Sequence, residues 1–225
     1  MKRIAIAVAL AACMAGPLWA QDEAAPEAAT QDTTTAEQAA PEAPAAQQAP
    51  QMTPEMQAMM EAWTKASTPG APQQQLAEHF RGDWSVKATM WMDPSAPPMT
   101  EAGTSTNTVE YGGRHVRSKY TGTFMGQPFT GEAITSYDNT KGKFINSWFD
   151  SMGTGQYMSE GDYDPATKTY TFQGTMSDPT KPDKTTTMKD TIRFTDADHY
   201  VMESYELADG KETKMMQLEY TRSGD

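Results

Sequence analysis

The residues best suited to chemistry lie on one short stretch, Lys143-Phe144-Ile145-Asn146-Ser147-Trp148-Phe149-Asp150. In an extended strand, alternation puts Phe144, Asn146, Trp148 and Asp150 on one face and Ile145, Ser147 and Phe149 on the other. An indole and a carboxylate then point the same way. Turned inward, Asp150 must be hydrogen-bonded, paired or functional; near a strand end it can instead bond a neighbouring loop. Which face turns inward is left open by the sequence. Most other carboxylates fall in turns (Asp138, Asp164, Asp196, Asp198, Asp209), where their type predicts capping of local amides. The three histidines, His79, His115 and His199, show no metal-ligand spacing. A haem would need one of them as axial ligand, and the plainer reading is three partly exposed imidazoles. There is no Gly-x-Ser-x-Gly elbow and no phosphate-cradling glycine loop. The sequence therefore predicts no catalytic residue, no metal site and no cofactor.

The elements that must position this stretch are strands. From Gly82 onward, β-rich runs alternate with turn signals. The runs are approximately Trp84–Met92, Thr100–Tyr111, Arg114–Phe124, Phe129–Tyr137, Lys143–Asp150, Gly155–Tyr163, Thr169–Met176, Thr185–Phe194, His199–Leu207 and Glu212–Arg222. Tyr137-Asp138, a five-residue loop and Phe144 recur as Tyr163-Asp164, a loop and Tyr170, so two similar hairpin necks are expected, each bridged by aromatics. Gly112-Gly113 and Asp209-Gly210 are tight-turn signals, and Asp196-Ala197-Asp198 is another short turn. Consecutive hairpins predict an all-β, up-and-down antiparallel barrel of about ten strands, since closing the sheet removes its exposed edges. Such a barrel can enclose a small ligand.

The segment before it divides in three. Lys2 and Arg3 precede an apolar run from Ile4 to Ala15, and Leu18-Trp19-Ala20 precedes Gln21, which reads as an export signal cleaved after Ala20. The run is too short for a membrane anchor, so no transmembrane segment is expected once the signal is removed. Leu10-Ala11-Ala12-Cys13 gives a second reading, a lipoprotein anchored through Cys13. The protein is accordingly expected to be periplasmic or secreted. Cys13 is the one cysteine, which excludes a disulfide within the chain. Residues 21–50, rich in Ala, Pro, Gln and Glu, cannot bury enough surface to offset ordering entropy and are expected to form a disordered tether. Residues 51–80 read as one or two short helices. Thr53 and Pro54 suit an N-cap and first position, and Met52, Met56, Met59, Met60 and Trp63 form one stripe. Soft thioethers could hold Cu(I), but Met also fills irregular apolar contacts, and the stripe is expected to pack on the barrel.

The net charge of −12, from 18 basic and 30 acidic residues, argues against nucleic-acid partners and against docking to anionic lipid, both of which need a basic surface. Mean hydropathy of −0.69 reflects the polar tether.

Two sets of residues resemble known patterns. Gly82-Asp83-Trp84 after a short helix, with Arg222 at the end, is similar to the Gly-x-Trp of lipocalins, whose Trp plugs the barrel base under a basic side chain. MMEAWTKASTPG, WMDPSAPP, GQPFTGEAITSYDN, SWFDSMGTG and DGKETKMMQLEYTR together resemble the DUF1579 family over about residues 56–222. That resemblance implies a calycin-like barrel and supplies no activity. The family often carries His where this chain has Gln73.

Register supports the plug on its own. Antiparallel pairing of the first and last strands brings Trp84 and Arg222 to one rim. Two functions stay open. In one, the barrel binds a small apolar or amphipathic ligand without catalysis, with Trp84, Met90, Trp148 and Tyr220 as walls and Asn146, Asp150 and Arg114 as polar groups. In the other, a filled barrel serves as a structural or partner-binding envelope protein. The oligomeric state is not legible.

Overall fold

The computed structural model describes residues 52–92, 96–178 and 183–224. The expected signal and tether lie outside the described residues.

Two helices precede ten strands: α1 Pro54–Ser67, α2 Ala71–Phe80, β1 Gly82–Met90, β2 Met99–Glu110, β3 His115–Phe124, β4 Gln127–Asp138, β5 Lys143–Asp150, β6 Tyr157–Asp164, β7 Thr169–Ser177, β8 Thr185–Phe194, β9 His199–Ala208 and β10 Lys211–Arg222. Each strand pairs antiparallel with its sequence neighbour, and β10 pairs with β1, so the sheet closes as an up-and-down barrel. The expected fold class is what the chain adopts. One bulge, between Lys214 and Met216, shifts the register of β9 and β10.

Local chemistry sets the helix ends. The Thr53 side chain accepts from the Met56 amide at 3.3 Å, Pro54 fills the first turn and Glu55 faces the positive end of the helix dipole. At α2, Gly70 has no side chain to cap with. The Gln73 Oε1 instead accepts from the Gly70 amide at 2.8 Å, while its Nε2 donates to the Tyr137 carbonyl at 3.1 Å and to Asn139 Oδ1 at 2.8 Å. Gln73 thus pins the helical corner to the β4–β5 turn. Leu76 and Phe80, on the same side of α2, are buried in the barrel end.

Two expectations are corrected. α1 has no buried residue, so the methionine stripe does not pack on the barrel; Trp63 is 68% exposed. α1 is held by its C-terminal end, where Asn139 Nδ2 donates to the carbonyls of Lys65, Ala66 and Thr68. An amphipathic stripe specifies a face that gains from cover, not which surface supplies it. The second correction is Arg114. It does not begin a strand but closes the β2–β3 turn, because Tyr111, Gly112 and Gly113 all adopt positive φ (50°, 65° and 88°) and the turn runs to Arg114, whose amide donates to the Glu110 carbonyl at 3.1 Å.

Candidate functional site

In an antiparallel barrel, directly opposed residues share a face, so the register assigns the lumen. The inward set at one end is buried: Trp84, Val116, Phe144, Tyr170, Phe172, Phe194 and Tyr200, with Leu76 and Phe80 of α2 beneath them. This is the floor. Its aromatics meet at short range, with Tyr163–Tyr170 centroids at 4.5 Å and Tyr137–Phe144 at 4.9 Å, so the two similar hairpin necks are both bridged.

The Phe80 carbonyl, at the C-terminal end of α2, accepts from Trp84 Nε1 at 2.9 Å and from Asn107 Nδ2 at 2.8 Å. Trp84 is opposed by Arg222, and the guanidinium carbon lies 4.2 Å from the indole centroid. Arg222 also donates to the carbonyls of Arg81 and Ala197 and to Asp198 Oδ1. A cation at a helix C-terminus opposes the partial negative charge of the dipole, so Arg222 joins the helix, the first strand and the β8–β9 turn.

Above the floor the lumen changes character. Val86, Ala88, Tyr120 and Leu218 form a second apolar layer, flanked by half-buried Phe129, Trp148, Met202, Met216 and Tyr220. An inward side chain of a closed barrel meets solvent only through the lumen. The partial exposure of Trp148, Asn146, Thr135, Ser118, Met202 and Met216 therefore marks open interior space. Two aromatics line it by lying over glycines. A Cβ on Gly131 would come within 2.3 Å of the Trp148 ring, and one on Gly103 within 2.3 Å of the Tyr120 hydroxyl. Any larger residue at either position displaces the aromatic.

A buried polar group sits in this wall. Asp190, opposed by Phe172 and Ser204, is 4% exposed. Ser204 Oγ donates to its Oδ1 at 2.6 Å, and the Tyr157 phenol donates to its Oδ2 at 2.8 Å. Burial pushes the Asp190 carboxyl above its usual range, against the opposing pull of the two hydrogen bonds. Burial, then the Asp190 charge, raises the Tyr157 phenol. Asn146, opposed by Ser159, accepts from Thr135 Oγ1 at 2.9 Å. Nearer the mouth, Glu101 Oε1 accepts from the Gly126 amide at 3.2 Å.

The residues singled out from sequence distribute as follows. Trp148, Asn146 and Asp150 share the lumen face of β5, and Met90 and Tyr220 face the lumen from β1 and β10. Tyr220 stacks on Tyr200 at 4.2 Å, and burial raises its phenol. Asp150 holds the loop at the end of β5: it accepts from Trp148 Nε1 at 2.8 Å and from the amides of Met152 and Gly153 at 2.9 and 3.2 Å. Arg114 is not a lumen group. Its Nε and Nη2 donate to the Ser67 carbonyl at 3.1 and 2.9 Å, tying α1 to the β2–β3 turn.

His79 Nδ1 lies 2.9 Å from the Tyr170 hydroxyl under the floor, and burial lowers its imidazole. His115 packs edge-on to Tyr111, and His199 bonds Asp196 in a turn. Among the described residues no three His, Cys, Asp or Glu side chains gather as a metal site. Depressions of about 460 Å³ along α1 and about 320 Å³ beside Lys119, Glu132 and Phe149 are both on the outside.

These features define a closed ten-stranded barrel with a plugged floor and a polar-studded lumen. The chain belongs to the DUF1579 family, described as a protein of unknown function, whose model matches residues 68–222. The match begins after α1 and takes in α2 and the whole barrel. No curated protein matches the chain. The crystal structure of Rv2717c from M. tuberculosis is similar at 14% identity and a TM-score of 0.53, covering 69% of this chain and 100% of that one; the likeness is one of fold. A redesigned β barrel, b11L5F_LGL, aligns at 13% identity and a TM-score of 0.34 over 66% of this chain and 95% of its own. Among the described residues no helix is long and apolar enough to cross a membrane.

Proposed function

We propose that the protein is an exported carrier or receptor that binds a small amphipathic ligand in the barrel lumen, without catalysis. The observation that carries this reading is the contrast along the lumen. Inward side chains are buried at the floor but half-exposed above it, where aromatic and thioether walls surround a few hydrogen-bonded polar groups. Mostly apolar walls with a few placed polar groups are the usual design of small-molecule sites. Trp148, Met90 and Tyr220 supply wall, and Asn146, Tyr157, Asp190 and Ser204 supply polarity. Asp150 acts indirectly, by fixing the Trp148 indole.

Native mass spectrometry of the exported protein, purified without harsh detergent, tests the reading: a stoichiometric co-purified mass, lost when Gly131→Val displaces Trp148, is expected. Export itself rests on residues 1–20, and intact mass decides between a chain beginning at Gln21 and a diacylglycerol-modified Cys13.

A second reading, a structural or partner-binding envelope protein, is favoured by one observation, the solvent-facing Met52, Met56, Met59, Met60 and Trp63. A lumen that returns empty and binds no amphiphile in solution turns the balance to it.

A further inference from the structure

The charge of the lumen is mostly negative, and it bears on the ligand. By register, Glu101, Asp150, Asp190 and Glu206 lie on the inward face. Most basic strand residues, Lys87, Arg117, Lys119, Lys143, Lys189, Arg193 and Lys214, fall on the outward face, where Arg117, Lys189 and Lys214 pair with Glu132, Glu212 and Glu203. Among the described strand residues, two cations fall on the inward face by register: Arg222, committed under the floor to Trp84, Asp198 and two carbonyls, and Lys211, opposed by Ala208 beside the β9–β10 turn and exposed at the rim. None of the four inward carboxylates has a cationic partner among the described residues.

A second, independent observation points to a ligand. Ser159 is 2% exposed, faces the lumen between Asn146 and Gly174, and its Oγ has no hydrogen bond of normal geometry although it lies beside the Tyr157 phenol. Glu101 Oε2 is likewise buried without a partner. A buried polar atom left unpaired costs free energy that a bound donor would recover. Asp190 takes one donor on each oxygen, and a carboxylate has room for more.

We propose that the lumen is selective for organic cations, namely small amines carrying an apolar body, over carboxylates and phosphates. This rests on the lumen-binding reading and deepens it. An ammonium group donates to the acceptors that the wall presents and meets its charge in a low-dielectric enclosure, where attraction is strengthened. The faces of Trp148, Phe129 and Tyr157 add cation–π attraction, and the methionines accommodate the tail. An anion in the same place would lie among four carboxylates, with Lys211 the one uncommitted inward cation among the described residues and that one exposed at the rim.

Three probes with the same ten-carbon tail test it: decylammonium, decanol and decanoate, titrated calorimetrically below their micelle concentrations into the full-length protein at pH 7. Decylammonium is expected to bind one per chain and at least about tenfold more tightly than decanoate, with decanol between; tenfold corresponds to about 1.4 kcal/mol. Glu101→Gln and Glu206→Gln near the mouth should each erode the ammonium preference several-fold, while Glu160→Gln on the outer face should leave it unchanged. Decanoate binding as tightly as decylammonium, or Glu160→Gln acting like Glu101→Gln, overturns the charge selection but leaves a lumen that binds amphiphiles. Absence of binding by all three overturns both readings.

Discussion

The floor and the mouth of this barrel use the same strands to opposite ends. At the floor each inward residue is apolar or hydrogen-bonded to a named partner, and α2 closes the opening. Phe80, Phe194 and Tyr200 meet at centroid distances of 4.9 to 5.6 Å, and Trp84 lies 4.7 Å from Tyr200. Toward the mouth, the same alternation presents half-exposed Trp148 and Met202, the unpartnered Ser159 Oγ and carboxylates without cations. The difference teaches where the fold gains its stability: the floor gains from burial, while the mouth retains polar atoms, Ser159 Oγ and Glu101 Oε2, that lack a hydrogen-bond partner among the described residues.

The contrast can be broken by experiment. Trp84→Ala should cost about 3–5 kcal/mol in denaturant unfolding, the range for a large aromatic removed from a packed core. Trp148→Ala, half-exposed to the lumen, should cost clearly less, and equal losses would show that floor and wall are one core.

Asp190 gives a pH test. Its folded pKa is raised above the unfolded value near 3.9. The native state therefore holds this proton more tightly, and the stability it contributes is complete below about pH 4 and lost as pH rises through the folded pKa. Each tenfold gain in proton affinity on folding corresponds to about 1.4 kcal/mol. Asp190→Asn should flatten the fall in stability above about pH 4, and a parallel pH curve for the variant would mean that the carboxyl is not desolvated.

At the floor, Arg222→Ala and Trp84→Phe should couple by about 1 kcal/mol in a double-mutant cycle, and strict additivity would separate the two residues. Least of all, Met56→Ala and Met59→Ala on α1 should each change stability by less than about 0.5 kcal/mol, as expected of exposed positions. A loss of several kcal/mol would mean that the stripe is covered in solution.

Much of the architecture was readable because it rests on period-two alternation and turn chemistry. The Thr53-Pro54 start, the Asp209-Gly210 hairpin and the ten strands follow from local rules, and closure followed from the absence of a reason to leave edges open. The polar group around Asp190 was missed although its signal was present: Met188, Asp190, Ile192 and Phe194 share a face, as do Tyr200, Met202, Ser204 and Glu206. Residue type alone suggested a solvated carboxylate; tracing the face back from Phe194 would have turned it inward. Arg114 and α1 failed for another reason. The reach of a turn depends on φ values at Tyr111 and beyond, and the cover of a helix depends on tertiary placement; neither is written in local pattern.

The turns at the two rims differ in what they are tied to. At the floor, Arg114 bonds α1, Asn139 bonds α1 and Gln73, and Asp198 bonds Arg222. At the mouth, Gly126 bonds Glu101 of β2, and Thr130 and Ser151 bond each other. The consequence is evolutionary. Lengthening a mouth connection adds little beyond loop closure, about 0.6 kcal/mol for each doubling, whereas altering a floor turn breaks a junction between distant parts of the chain. The barrel can therefore change its mouth by editing a single rim, and lineages built on it would be expected to diverge there first.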